Sequence, residues 1–287
     1  MSDPLNGENW MSKVDGSKSL YDMSIPGTHA TCALYGGDAA QTQKKTLKAQ
    51  LNDGIRFVDI RCRQIEDTFA IHHDLVYEKI NFGDGVLKVC LEFLADHPKE
   101  AIIMSVKPEY TPVNNKLTFE QVFDKYIKDY QCKNQWYFDD TVPTLDDVRG
   151  KIVLFRRFDT DDPNQVKGLK AQPWPDDTTF NIDNAAKMRI QDEWQVSSLM
   201  ARTEKWKKIE GLLNEACTSN KQILYVDFCS GASAWCYPYS AADYINSRLT
   251  DYFLKHKQGR FGIIPMDFES TDRNILIAHT NVPCEDN

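Results

Sequence analysis

A small set of ionisable residues stands where it could do chemistry together. His29 closes the segment Ser24-Ile25-Pro26-Gly27-Thr28, just past a strand-like run at residues 20–25. Asp59 and Arg61 sit at the end of a second strand-like run, 56–60, and His73 follows a third at 69–71. Such residues cannot all be buried without partners, so successive strands that end in them point to a shared, solvated, charged site. Two imidazoles can act as general base and general acid at neutral pH. A guanidinium fork holds a pair of anionic oxygens such as those of a phosphate. A carboxylate beside an imidazole fixes its tautomer and raises its basicity. The set fits metal-free cleavage of a phosphodiester. One histidine would deprotonate an attacking hydroxyl, the other would protonate the leaving oxygen, and the arginine would stabilise charge on the phosphorus oxygens.

These residues need a scaffold. Further strand-like runs at 101–106, 151–155, 187–190, 222–228 and 260–266 alternate with helix-like stretches at 43–52, 85–96, 118–130, 198–216 and 241–256. Apolar strands alternating with helices imply a parallel sheet buried on both faces. About eight strands without a linker imply an α/β fold, a single irregular (β/α)8 TIM-type barrel in one domain spanning 1–287. The irregularity is expected at Phe69, which follows Arg61 too closely for a crossover helix. In such a barrel the C-terminal strand ends face the active site. Those positions add Lys107, Arg157, Asp192 and Asp267 to the ring, with alternation favouring Arg157 over Arg156 as the inward residue. Residues 159–179 are polar and contain proline, and read as a long surface loop.

Bulk properties exclude several classes. A net charge of -8 without a long Lys/Arg run argues against nucleic-acid binding. It also argues against strong electrostatic attraction to anionic membranes, while leaving room for a local lipid contact. No apolar run reaches transmembrane length. Residues 1–10 are polar and lack an h-region, so no signal peptide is expected in this chain. The eight cysteines form no CxxC pair, which disfavours a zinc site, and leave open whether they are reduced or bridged.

The motifs SIPGTH at 24–29, FVDIRCR at 57–63, IHHDLVY at 71–77, AIIMSVKPEY at 101–110, RGKIVLFRRF at 149–158, IQDEW at 190–194 and SGASAWCYPYSAADYIN at 230–246 resemble, in order and spacing, the bacterial phosphatidylinositol-specific phospholipase C family. The resemblance runs from about Asn9 to Asp267. It implies an irregular TIM barrel and a lyase reaction on a phosphatidylinositol or inositol-phosphate lipid. In that reaction the inositol 2-hydroxyl attacks phosphorus, releasing diacylglycerol and inositol 1,2-cyclic phosphate. On this resemblance His29 is the general base, Asp267 its orienting carboxylate and His73 the general acid. Arg61 is the phosphate-stabilising arginine, with Asp59 beside it on the same strand face. Lys107, Arg157 and Asp192 hold the inositol hydroxyls, and Trp194 stands where the family stacks a tyrosine on the ring. Relatives that use calcium place an acidic residue at the position of Arg61, so no metal or other cofactor is expected. Trp235 matches a lipid-facing rim tryptophan, and Tyr237 and Tyr239 extend that rim for transient contact with a membrane surface.

Two departures accompany the resemblance. Ala30 replaces the aspartate that usually follows the base histidine, and residues 36–46 lack the family's other rim tryptophan. Two rival readings follow from the residues. A metal-dependent glycerophosphodiesterase-like enzyme would need an acidic ligand near Arg61. An inositol-phosphate or lipid-binding protein with weak turnover draws its support from Ala30. The family is often secreted, but with no leader in view the compartment stays open.

Overall fold

Period-two alternation along the strands organises the molecule. The computed structural model describes residues 5–283. Among them, twelve strands form one sheet: β1 (Ser24–Thr28), β2 (Phe57–Ile65), β3 (Thr68–His73), β4 (Val76–Asn81), β5 (Ile102–Pro108), β6 (Trp136–Tyr137), β7 (Ile152–Arg156), β8 (Leu169–Lys170), β9 (Thr178–Ile182), β10 (Met188–Asp192), β11 (Leu224–Asp227) and β12 (Gly262–Met266). The α-helices are α1 (Leu47–Asn52), α2 (Lys88–Asp96), α3 (Phe119–Asp129), α4 (Leu145–Val148), α5 (Arg202–Thr218), α6 (Pro238–Lys255) and α7 (Thr271–His279). The sheet runs β6-β7-β5-β2-β1-β12-β11-β10-β9. Its pairings are parallel from β6 through to β10, and β9 closes that edge antiparallel to β10. Among the described residues no ladder joins β9 to β6 or β8, so the barrel is open on that side. The β3–β4 hairpin branches antiparallel from the long β2, in place of a crossover helix.

Alternate residues feed two apolar layers. Phe57, Ile103, Val153, Phe155, Ile190, Val226 and Ile263 fill the barrel interior. Val58, Ile102, Met104, Ile152, Leu154 and Ile264 face outward and pack with residues of α1, α2, α3, α5 and α6. Gly27 falls on the inward set of β1, where a Cβ would stand 2.9 Å from the Cβ of Phe57, so only glycine lets the two strands approach. At the N-terminal end of the barrel Arg56 is sealed against Glu100, with Nη2 2.8 Å from Oε2.

The structure departs from the sequence reading in instructive places. The helix expected over 43–52 is confined to α1, because the Gln43 side chain donates to the carbonyls of His29 (3.0 Å) and Met266 (2.8 Å). The expected surface loop at 159–179 contains β8, two residues long, and runs into β9, which pairs antiparallel with the next strand β10 and carries only one buried side chain, so neither stands out as an apolar run. The strand β4 and helix α7 carry too little regular apolar spacing to stand out in the sequence. The described cysteines are free, and all but Cys217 are buried; Cys284 lies outside the described residues.

Candidate active site

The inward register that fills the barrel with apolar side chains continues past the strand ends with polar ones. Along β2 the inward positions are Phe57, Asp59 and Arg61; from β5 they run Ile103, Ser105, Lys107 and Glu109. From β7 the series reaches Arg157, from β10 Asp192 and Trp194, from β1 His29 and from β12 Asp267. These ends surround a cavity of about 860 Å³, which His29, Arg61, His73, Lys107, Arg157, Asp192, Trp194 and Asp267 all line. Asp59 is the exception among the expected catalytic and ring-binding residues. It is buried beneath the floor, absent from the lining, and acts on Arg61.

His29 Nδ1 lies 2.8 Å from Asp267 Oδ1, and its Nε2 lies 2.8 Å from Arg61 Nη2. Arginine can only donate. The His29 Nε2 therefore accepts, and the proton sits on Nδ1, facing the carboxylate. His73 donates from Nδ1 to the Ala40 carbonyl at 2.7 Å, which leaves its Nε2 for the cavity. The two imidazole rings meet edge to face with centroids 5.9 Å apart. Arg61 donates from Nε to Asp59 Oδ2 at 3.0 Å, and Asp59 also receives Ser105 Oγ (3.0 Å) and the Ala30 backbone N–H (3.1 Å). Ala30 holds a left-handed φ of 39°, an uncommon backbone for a residue with a Cβ.

Burial opposes charge on Asp59, yet Arg61 and Arg157 hold its carboxyl far below the usual range. Burial, Arg61 and His29 push His73 well below an ordinary imidazole, so it is neutral at pH 7 when the cavity holds no anion. Burial and Arg61 lower Lys107 to about 8.

Two residues that the sequence reading passed over belong to this site. Glu109 Oε2 lies 3.0 Å from Lys107 Nζ, and its Oε1 lies 3.7 Å from Arg61 Nη1. Despite burial, these cations keep Glu109 down at about 2. The alternation that places Lys107 also places Glu109, and that signal was available. Trp174 donates from Nε1 to Asp192 Oδ2 at 2.9 Å and lies under the Arg157 guanidinium, 3.4 Å from the ring centroid. Only the folding-back of residues 171–177 over the cavity brings it there, so nothing local marks it. Arg156 points away and donates to the carbonyls of Lys167 and Phe158. His72 is buried against Tyr77 and does not line the cavity.

Trp194 is 39 % exposed and donates to Asp176 Oδ1 at 2.9 Å. Trp235 is 82 % exposed, and Tyr237 and Tyr239 are about half exposed. All three lie beyond the C-terminal end of β11, on the cavity side of the barrel. Among the described residues no group of three or more His, Cys, Asp or Glu side chains could hold a metal ion.

Residues 17–158 match the family described as "Phosphatidylinositol-specific phospholipase C, X domain". The 1-phosphatidylinositol phosphodiesterase of Staphylococcus aureus strain Newman is 33% identical over 280 residues, covering 91% of this chain and 88% of that protein. The chain belongs to the bacterial phosphatidylinositol-specific phospholipase C family. A 1-phosphatidylinositol phosphodiesterase of Listeria monocytogenes is 30% identical over 289 residues, covering 94% of this chain and 84% of that protein. Among solved structures, a phosphatidylinositol-specific phospholipase C of S. aureus carrying pentafluoro-Phe superposes with a TM-score of 0.86 at 29% identity, covering 96% of this chain and 99% of that one. The L. monocytogenes enzyme superposes with a TM-score of 0.76 at 27% identity, over 96% and 99% of the two chains. The irregular barrel expected from the sequence is thus the family's barrel.

Proposed function

We propose that this protein is a metal-independent phosphatidylinositol-specific phospholipase C, cleaving its lipid by intramolecular attack of the inositol 2-hydroxyl on phosphorus. The observation that carries this reading is the geometry at His29. Asp267 holds the Nδ1 proton, so the Nε2 lone pair is presented beside the Arg61 guanidinium at 2.8 Å. A phosphate seated on that guanidinium lies next to the base that must activate its neighbouring hydroxyl.

In the reaction, His29 Nε2 takes the proton of the 2-hydroxyl and the new bond from that oxygen to phosphorus forms. The bond from phosphorus to the diacylglycerol oxygen breaks, and that oxygen receives the proton of His73 Nε2. The products are diacylglycerol and inositol 1,2-cyclic phosphate. Arg61 stabilises the non-bridging oxygens, a task that a metal ion would otherwise perform. An anionic phosphate also raises His73 from its low resting value, arming it as an acid. Asp59 positions Arg61 from below. Lys107, Glu109, Arg157 and Asp192 supply donors and acceptors of both signs, which suits a ring bearing hydroxyls. Trp174 and Trp194 offer apolar faces to such a ring.

The exposed Trp235, Tyr237 and Tyr239 fit brief contact with the membrane that contains the substrate. A bilayer-bound lipid headgroup, and not a nucleic acid, is the partner this acidic chain and its cavity, lined by charges of both signs, fit. We read residues 1–287 as one catalytic domain.

The test is chromatography of the products formed from phosphatidylinositol with and without a chelator. Diacylglycerol and the cyclic inositol phosphate are expected at equal rates in both. A rate lost to chelator and restored by calcium would reject metal independence. No cyclic phosphate under either condition would reject the reaction.

A further inference from the structure

The residues on either side of Asp192 form a network, buried at Gln191 and partly exposed at Glu193, that the chemistry at His29 and His73 does not use. Gln191 points away from the cavity into the layer beneath α5 and is buried. Its Nε2 donates to Asp227 Oδ1 at 2.8 Å and to the Phe228 carbonyl at 3.0 Å. Its Oε1 accepts from the Glu193 backbone N–H at 2.8 Å and from Lys205 Nζ at 2.7 Å. Every hydrogen-bonding position of this amide is therefore filled. Two residues on, Glu193 accepts from Thr179 Oγ1 at 2.7 Å and pairs with Lys208. Lys205 and Lys208 lie three apart on α5, hence on one face of the helix. They grip residues 191 and 193, and alternation turns residue 192 the other way, into the cavity.

We propose that Lys205 and Lys208 of α5, acting through Gln191 and Glu193, are positioning residues that set Asp192 and Trp194 for the polyol ring of the substrate. The inference rests on the reading of Asp192 as a ring-hydroxyl contact given above. A buried lysine is a costly way to hold a helix to a sheet, and an apolar side chain of the same length would do it as well or better. What the lysine adds is direction. Its ammonium fixes the rotamer of Gln191, and that amide fixes the Glu193 N–H, which sets the backbone turn between Asp192 and Trp194. Asp227, pushed up to about 7 by burial, can take a proton if the lysine is removed, so no bare charge is left behind.

The experiment uses the full chain with Lys205→Met and myo-inositol as the probe. Binding is followed by intrinsic tryptophan fluorescence and kinetics on phosphatidylinositol in detergent micelles. The expected result is a Kd for myo-inositol and a KM each raised about tenfold, with kcat within about threefold and a Tm unchanged or higher. A purely structural lysine would instead lower Tm and leave the Kd alone. Asp192→Asn serves as the control for the underlying reading. If it weakens myo-inositol binding and Lys205→Met does not, the positioning role is overturned and the ring contact stands. If Asp192→Asn binds as the parent does, the ring contact itself is wrong. Should Lys205→Met fail to fold, the more exposed Lys208→Ala decides: a Kd raised about two- to threefold supports the inference, and a parental Kd overturns it.

Discussion

Two arginine–carboxylate pairs lie five residues apart on one stretch of chain and do opposite jobs. Arg56, at the foot of β2, has all five N–H donors matched: Nε to Glu100, Nη1 to the carbonyls of Leu51 and Ile55, and Nη2 to those of Gly7 and Glu8. Glu100 in turn accepts the backbone N–H groups of Met11 and Ser12. Neither side chain has more than 1% of its surface exposed. Arg61, further along β2, spends Nε on Asp59 and one Nη2 donor on His29, and lies 3.7 Å from Glu109. Its remaining donors face the cavity. The first pair is closed and ties the N-terminal segment to the barrel floor. The second is incomplete, and on the proposed mechanism its spare donors would receive the phosphate. Hydrogen-bonding capacity left over, more than charge or burial alone, separates a functional pair from a structural one.

Charge-conserving or shape-conserving changes at the two pairs should therefore have opposite signatures. Arg61→Lys keeps a cation beside Asp59 but removes the planar fork, and should lower kcat/KM by about a hundred- to a thousandfold while Tm barely moves. A Tm collapse with normal specific activity would erase the contrast. Glu100→Gln leaves Arg56 buried without a counter-charge and should cost about 3–5 kcal/mol in urea unfolding, with kcat per folded molecule unchanged.

A smaller effect concerns His73. Its folded pKa is depressed below the unfolded imidazole value of 6.5, to about 3. The neutral ring is therefore the folded form. Its contribution to stability is complete above pH 6.5 and declines as pH falls through the window between these values. His73→Gln should flatten that part of the stability profile. Binding of an inositol phosphate to the parent near pH 6 should take up a fraction of a proton, up to about one, as the anion restores the imidazolium. Calorimetry in buffers of different ionisation enthalpy that shows no uptake would remove His73 as the acid. The smallest effect is expected at the rim. Trp235→Ala should weaken binding to phosphatidylinositol-containing vesicles a few-fold and leave hydrolysis of soluble inositol 1,2-cyclic phosphate as it was.

Much of this was legible in the chain. The order of strands and helices fixed the barrel class, because apolar runs buried on both faces leave few alternatives to a helix-covered parallel sheet. Period-two alternation named the inward residues at each strand end, including the choice of Arg157 over Arg156. It would have named Glu109 as well, two residues past Lys107.

Tertiary structure decided the rest, for reasons of reach. Among the described residues β8 and β9 are consecutive in the chain yet unpaired, and that open edge is set by how the sheet curls, which no local pattern reports. Trp174 reaches Asp192 and Arg157 only because a long segment folds back over the cavity. The demotion of Asp59 from the cavity wall to its foundation followed from depth, which residue type does not encode. The sequence by itself determined which side chains turn inward, since that follows from backbone geometry. Which of them meet, and with how many bonds left over, was decided by the packing of strands that the chain brings together from a distance.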